Sequence, residues 1–209
     1  MTDFFTADTH FGHKNIIDYD QRPFSSVEEM DNAIISNWNR VVKEGDTVYH
    51  LGDFAFKTPE KYIKRLNGNI ILIRGNHDNF TKKKESELFV SVHDISVLKP
   101  KEGQRIVLCH YPLRSWQYMQ FGSYHLHGHT HGTIEPLYNT LDVGIMESNF
   151  APVSLEDIQL LMDLCEDLKL PDFNHFVNLP IFTCGKGIPS CIQEDGEKAQ
   201  KAYENGEDF

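Results

Sequence analysis

Five times within the first 131 residues a short apolar run breaks off at a histidine, aspartate or asparagine. Phe4-Phe5-Thr6-Ala7 runs into Asp8-Thr9-His10, and Thr47-Val48-Tyr49-His50-Leu51 stops at Gly52-Asp53. Ile70-Ile71-Leu72-Ile73 precedes Gly75-Asn76-His77-Asp78, Ile106-Val107-Leu108-Cys109 ends at His110, and Tyr124-His125-Leu126-His127 leads into Gly128-His129-Thr130-His131. Runs this short with so few polar positions read as buried strands. Between them lie helical patterns. Ser25-Ser26-Val27-Glu28 offers a capping box, and Val27, Met30, Ile34, Trp38 and Val41 then recur at three- and four-residue steps. Pro59 opens a helix through Leu66, and Ser154 with Asp157 starts another from Leu155 to Leu170, packed by Leu155, Ile158, Leu161, Met162 and Cys165. Strands alternating with helices predict an α/β fold, and such sheets place ligands at strand ends.

The 209-residue chain carries 20 Lys and Arg against 31 Asp and Glu, a formal charge of −11. That excess of carboxylates disfavours tight binding to duplex nucleic acid, and the one basic run, Lys82-Lys83-Lys84, reads as a solvated face. No stretch approaches the ~18 to 20 uninterrupted apolar residues of a membrane span. The opening Met1-Thr2-Asp3-Phe4-Phe5 has no secretory pattern, so the expected compartment is the cytoplasm. Cys109, Cys165, Cys184 and Cys191 are too irregularly placed for a disulfide framework and read as thiols. From Pro171 onward Pro, Gly and Asn become frequent and the end is strongly charged. The expectation is one compact domain over residues 1–170 and an extension over 171–209. Cys184, Cys191 and His175 in that extension match no common zinc spacing.

Eleven histidines, five of them between His110 and His131, point to metal. Imidazole with carboxylate suits Zn, Mn, Fe or Co, and the cysteines do not accompany the histidines. Taken alone, Asp8-x-His10 could be a turn cap beside an exposed histidine, and Gly52-Asp53 is ordinary turn chemistry. Gly75-Asn76-His77-Asp78 is more specific, because glycine permits a tight bend that brings polar side chains to one cavity. Gly128-His129-x-His131 is the strongest element, two imidazoles that can serve neighbouring ions. His50, His125 and His127 read as packed histidines with one hydrogen bond each, and His93 and His175 receive no role. The aromatic loop from Tyr111 to Phe121, with Arg114 to grip a phosphate oxygen, is a candidate substrate wall, or else a lid or subunit contact. His13 is a candidate substrate contact, and Asp142 reads as structural.

In this order, these five motifs resemble the calcineurin-like metallophosphoesterase superfamily from about Phe4 to Ala151. The run from Thr9 to Ile16 and His110-Tyr111-Pro112-Leu113 look like a small subgroup of phosphoesterases from bacteria and phages. The resemblance implies a four-layer α/β/β/α sandwich of two mixed sheets carrying two divalent transition-metal ions, manganese first, with Fe, Zn, Co or Ni as alternatives. It places Asp8, His10 and His131 on one metal, Asn76, His110 and His129 on the other, and Asp53 between them. It makes His77 the group that stabilises phosphate and protonates the leaving oxygen, with Asp78 orienting its ring. Many relatives carry a polar residue three positions after the bridging aspartate, where this chain has Phe56. The implied activity is hydrolysis of a phosphodiester or phosphomonoester, on a small or nucleotide-type substrate, by direct attack of a metal-bridging hydroxide. The alternatives are a nuclease acting on DNA or RNA and a catalytically inactive metal-binding scaffold.

Overall fold

The computed structural model describes residues 1–79, 87–135 and 137–168. Two mixed sheets with flanking helices form the body, as the α/β reading expects. The first sheet contains β1 (Asp3–Thr6), β2 (Thr47–His50), β3 (Asn69–Ile73), β4 (Ser91–His93) and a short β9 (Val153–Ser154), in the order β4-β3-β2-β1-β9. Strands β1 to β4 are parallel and β9 is antiparallel to β1. The second sheet runs β5 (Ile95–Leu98), β6 (Ile106–Cys109), β7 (Tyr124–His127), β8 (Thr140–Asp142), with β5 antiparallel and the rest parallel.

Alternation along the strands divides the apolar side chains between two cores. Phe4, Val48, Ile70 and Leu72 face helix α2 (Val27–Val41), which contributes Met30, Ile34 and Trp38. Phe5, Leu51 and Ile73 face Ile106, Leu108 and Leu126 of the second sheet, together with Ile158, Leu161 and Met162 of helix α4 (Leu155–Leu168). Burying each of these large side chains stabilises the fold by roughly 1.5–3 kcal/mol.

The helix signals hold with shifts of position. Helix α2 is capped one residue later than the box suggests: Ser26 Oγ accepts from the Glu29 amide at 3.2 Å, and the Glu29 carboxylate accepts from the Ser25 amide at 2.8 Å. Ser154 caps α4 as expected, accepting from the Asp157 amide at 3.1 Å. The helix expected from Pro59 to Leu66 is regular only as α3 (Glu60–Ile63), continuing in turns. A one-turn helix, α1 (Ile16–Tyr19), follows the first motif. Lys82, Lys83, Lys84 and the segment holding His175, Cys184 and Cys191 lie outside the described residues, and so does the side chain of Cys165. Among the described residues, no helix is long and apolar enough to cross a membrane.

The C-terminal ends of the two parallel arrays meet. Ala7, just past β1, bridges Gly144, just past β8, and the Ile145 amide donates to the Ala7 carbonyl at 3.1 Å. The polar loops of both sheets therefore open onto one edge.

Candidate metal centre

At that edge the loops are laced together by backbone hydrogen bonds. The Asp8 amide donates to the Gly52 carbonyl at 3.0 Å and the His10 amide to the Asp53 carbonyl at 2.9 Å, which ties the loop after β1 to the loop after β2. In the second sheet the Gly128 amide donates to the His110 carbonyl at 3.0 Å. Gly75 is required here, because a Cβ at that position would collide with the Asp53 carboxylate and amide. Asp8, His10, Asp53, His129 and His131 all adopt left-handed backbone conformations, with φ between 48° and 71°. Each such residue stores about 1–3 kcal/mol of strain, held by the surrounding lattice of hydrogen bonds.

These turns aim side chains at one another. Ligand atoms of Asp8, His10 and His131 lie within 4.8 Å of one another, and so do those of Asp8, Asp53 and His110. Asp53 Oδ2 is 3.6 Å from His10 Nε2 and 3.7 Å from His110 Nε2, while His131 Nε2 is 3.8 Å from Asp8 Oδ1. Asn76 Oδ1 lies 3.0 Å from His110 Nε2. The His129 ring sits 5.0 Å from that of His110, and its backbone amide donates to Asp8 Oδ2 at 2.9 Å.

The donor set fits cations. Asp8 Oδ1 and His10 Nε2 are buried without a hydrogen-bond partner. The Leu51 carbonyl can only accept, so the 2.8 Å contact puts a hydrogen of His110 on Nδ1 and turns Nε2 toward Asp53 and Asn76. Asp20 does the same for His131, at 2.8 Å from its Nδ1. Fixing a ring through its far nitrogen is how outer carboxylates and carbonyls prepare histidine ligands. Burial, then the charges of Asp142 and Asp53, pushes the Asp8 carboxyl well above its ordinary pKa, while burial, then Arg22, depresses His10 to about 2. Carboxylates crowded in an apolar site with neutral imidazoles call for compensating positive charge.

Residues around this cluster hold it in place. Arg22, 3% exposed, donates to the carbonyls of Asp8 and Thr9 and pairs with Asp20. Asp142 accepts from Thr130 Oγ1, the Gly132 amide and the Gly144 amide, which fixes the loop bearing His129 and His131. Sequence reasoning missed Asp20 and Arg22. They stand in an unremarkable polar stretch, and only the return of the loop after β1 brings them under the site.

The remaining residues divide. His77 is exposed beside the cluster, its ring 5.5 Å from that of His10 and its amide donating to Asp53 Oδ1 at 2.9 Å. Asp78 departs from the expected orienting role. It is fully buried and its carboxylate accepts from the amides of Asp53, Phe54 and Gly75, with no hydrogen bond to the His77 ring. Three converging N–H groups claim its oxygens, so it shapes the loops instead. His13 stands 5.7 Å from His10, ring to ring, and stacks on Phe56. Only the start of the aromatic loop reaches the centre: Tyr111 packs on His129 at 4.8 Å, whereas Trp116 is buried against His125 and Tyr118 lies under Arg105. Arg114 is exposed on that loop. His50 makes one hydrogen bond, to Thr9, and His125 makes two, to Val107 and Leu113. His127 bonds the Gly128 carbonyl and His93 bonds Ser91.

The sequence profile of the calcineurin-like phosphoesterase superfamily domain matches residues 1–139. The chain is 37% identical over 172 residues to the uncharacterized protein MJ1445 of Methanocaldococcus jannaschii, covering 77% of this chain and 90% of that protein. It is 27% identical over 158 residues to the Gene 66 protein of Mycobacterium phage L5, covering 61% of this chain and 76% of that one. Among solved structures, AQ665 of Aquifex aeolicus, a protein of unknown function, superposes with a TM-score of 0.63 at 30% identity, covering 77% of this chain and 98% of that one. Every strand-end motif from Asp8 to His131 falls inside the matched span, and the chain belongs to the calcineurin-like phosphoesterase superfamily.

Proposed function

We propose that this chain is a phosphoesterase that holds two divalent transition-metal ions, manganese first among them, and hydrolyses a phosphodiester or phosphomonoester. Asp8, His10 and His131 would hold one ion, Asn76, His110 and His129 the other, and Asp53 would lie between. The observation that carries this reading is the position of Asp53 Oδ2, 3.6 Å and 3.7 Å from the Nε2 atoms of two histidines that come from different sheets. When bound, such ions supply Lewis acidity toward phosphoryl oxygens and lower the pKa of water. The chain itself supplies orientation: left-handed turns and glycine contacts fix the ligands before substrate arrives, which lowers the reorganisation cost of the reaction. His77, exposed beside the cluster and anchored through its amide to Asp53, would hold a phosphoryl oxygen and give the leaving oxygen its proton. Asp78 supports His77 indirectly, by fixing the backbone on both sides of Asp53. His13 and Arg114 remain the candidate substrate contacts. The same reading takes residues 1–170 as the catalytic domain and 171–209 as an extension.

Hydrolysis of bis(p-nitrophenyl) phosphate and p-nitrophenyl phosphate with added Mn²⁺ tests the proposal. We expect turnover that Asp53→Ala abolishes and His77→Ala lowers by about 10²- to 10⁴-fold, the range of a lost general acid. A chain that binds Mn²⁺ yet turns over neither ester with any of the candidate metals is a scaffold, and the proposal fails.

A further inference from the structure

Beside the cluster stands a run of aromatic side chains that no ligand role absorbs. Phe56 follows Asp53 by three residues and is 50% exposed, whereas its neighbours Phe54 and Phe11 are fully buried. The His13 ring lies parallel to it, 4.7 Å away at an interplanar angle of 12°. Tyr19, 71% exposed, meets His13 edge-on at 6.3 Å. This surface begins 5.7 Å from the His10 ring and 6.5 Å from that of His77.

Phe56 belongs to neither apolar core: the nearby Phe11, Phe54 and Tyr62 pack among themselves in the first, and Phe56 is not part of it. An exposed phenyl ring backed by a parallel imidazole is a flat, stiff, polarisable surface, the kind on which a nucleobase or other planar ring stacks. Lys57 Nζ lies 5.4 Å from the Phe56 centroid on an exposed side chain, so a planar ligand could displace it and leave its ammonium free for an anionic group.

We infer that the substrate of this centre is a phosphate ester with a planar aromatic ring on one arm, nucleotide-like in chemistry, and that Phe56 backed by His13 is the platform on which the ring stacks. The inference rests on the phosphoesterase reading and supplies its substrate class. A ring stacked on Phe56 adds a contact that a sugar phosphate lacks, so ring-bearing nucleotides are favoured over sugar phosphates by stacking alone.

The test compares binding of two probes, adenosine 5′-monophosphate and ribose 5-phosphate, which share the phosphate and sugar and differ in the ring. Calorimetric titration of the full chain with Mn²⁺, in the His77→Ala background to suppress turnover, gives both affinities. We expect adenosine 5′-monophosphate to bind roughly 10- to 100-fold more tightly, the usual worth of one stacked base. Phe56→Ala should bring that ratio near one with ribose 5-phosphate binding unchanged, and Phe56→Trp should keep it. Equal affinities in the parent chain, or a ratio that survives Phe56→Ala, would overturn the platform while leaving the phosphate site standing. Binding of neither probe, together with turnover of neither nitrophenyl ester, would instead remove the phosphoesterase reading and this inference together. A ratio lost alongside a lowered melting temperature in Phe56→Ala, but kept in Phe56→Leu, would assign Phe56 to packing and also overturn it.

Discussion

Asp20 shows how much of the centre is set by residues that would never touch a metal. Its Oδ1 takes the Nδ1 hydrogen of His131 while its Oδ2 takes two donors from the Arg22 guanidinium. Burial alone would raise its pKa, but the hydrogen bonds from His131 and Arg22 outweigh that and hold the carboxyl below its ordinary range. It therefore stays ionised, and a fixed anion behind a histidine makes that imidazole a better ligand. We expect Asp20→Asn to weaken Mn²⁺ binding by about 10- to 100-fold, the usual cost of losing such an outer partner, as read by calorimetric titration. Arg22 would keep its bonds to the Asp8 and Thr9 carbonyls, so circular dichroism should show an unchanged fold. An unaltered affinity would mean that the His131 ring is held by packing alone.

The strands explain why histidine is tolerated in the core here at all. His50 on β2 donates from Nε2 to Thr9 Oγ1, which spends its own hydrogen on the Phe54 carbonyl, while His125 on β7 donates to Val107 and accepts from Leu113. Both are neutral in the fold. Burial, then the nearby His110, holds His50 to about 3, and burial first also brings His125 to about 4. In the unfolded chain both titrate near ~6.5. Below that pH the unfolded state gains protons that the native state refuses, so stability falls with pH from ~6.5 and levels off only below the folded values. The slope is roughly 1 kcal/mol per pH unit for each histidine. Urea titrations in EDTA at pH 6.5 and 4.5 should show a smaller loss for His50→Asn/His125→Asn than for the parent, and parallel losses would refute it. The strands bearing these histidines are legible in the sequence because they are short, apolar and end in ligand-type residues. Strands β4 and β5 are not, because they are short edge strands with no fully buried residue, and Ile95 and Val97 remain exposed. The proposed ligands were readable as types at strand ends. The work of Asp20, Arg22 and Asp78 was not, because it depends on which backbone groups the folded loops leave unpaired.

At the scale of the molecule, the proposed ligands divide between the two sheets. Asp8, His10, Asp53 and Asn76 follow strands of the first, and His110, His129 and His131 follow strands of the second. The directed bonds of Ala7 with Ile145, Asp8 with His129, Leu51 with His110 and Asp20 with His131 sit at the edge that carries the cluster. Between the sheets lies an apolar core, which resists sliding less specifically than directed bonds do. Ions held from both sides would act as cross-links between them, formed only in the native state. Without them, the edge keeps five left-handed residues and an unpartnered Asp8 oxygen and His10 nitrogen, all of which favour opening. A ligand present at 1,000 times its Kd and blind to the unfolded chain stabilises by about 4 kcal/mol, which for a domain of this size is on the order of 10 °C in melting temperature. We expect a shift of that order between Mn²⁺ and EDTA in scanning calorimetry. His131→Ala should shrink it, although His131 is partly exposed and contributes little to either core. Because the cross-link spans the sheets, added Mn²⁺ should slow amide exchange on both β1 and β7. Protection confined to one sheet would show that the ions are held from one side only, and would place Asp53 outside the role between them.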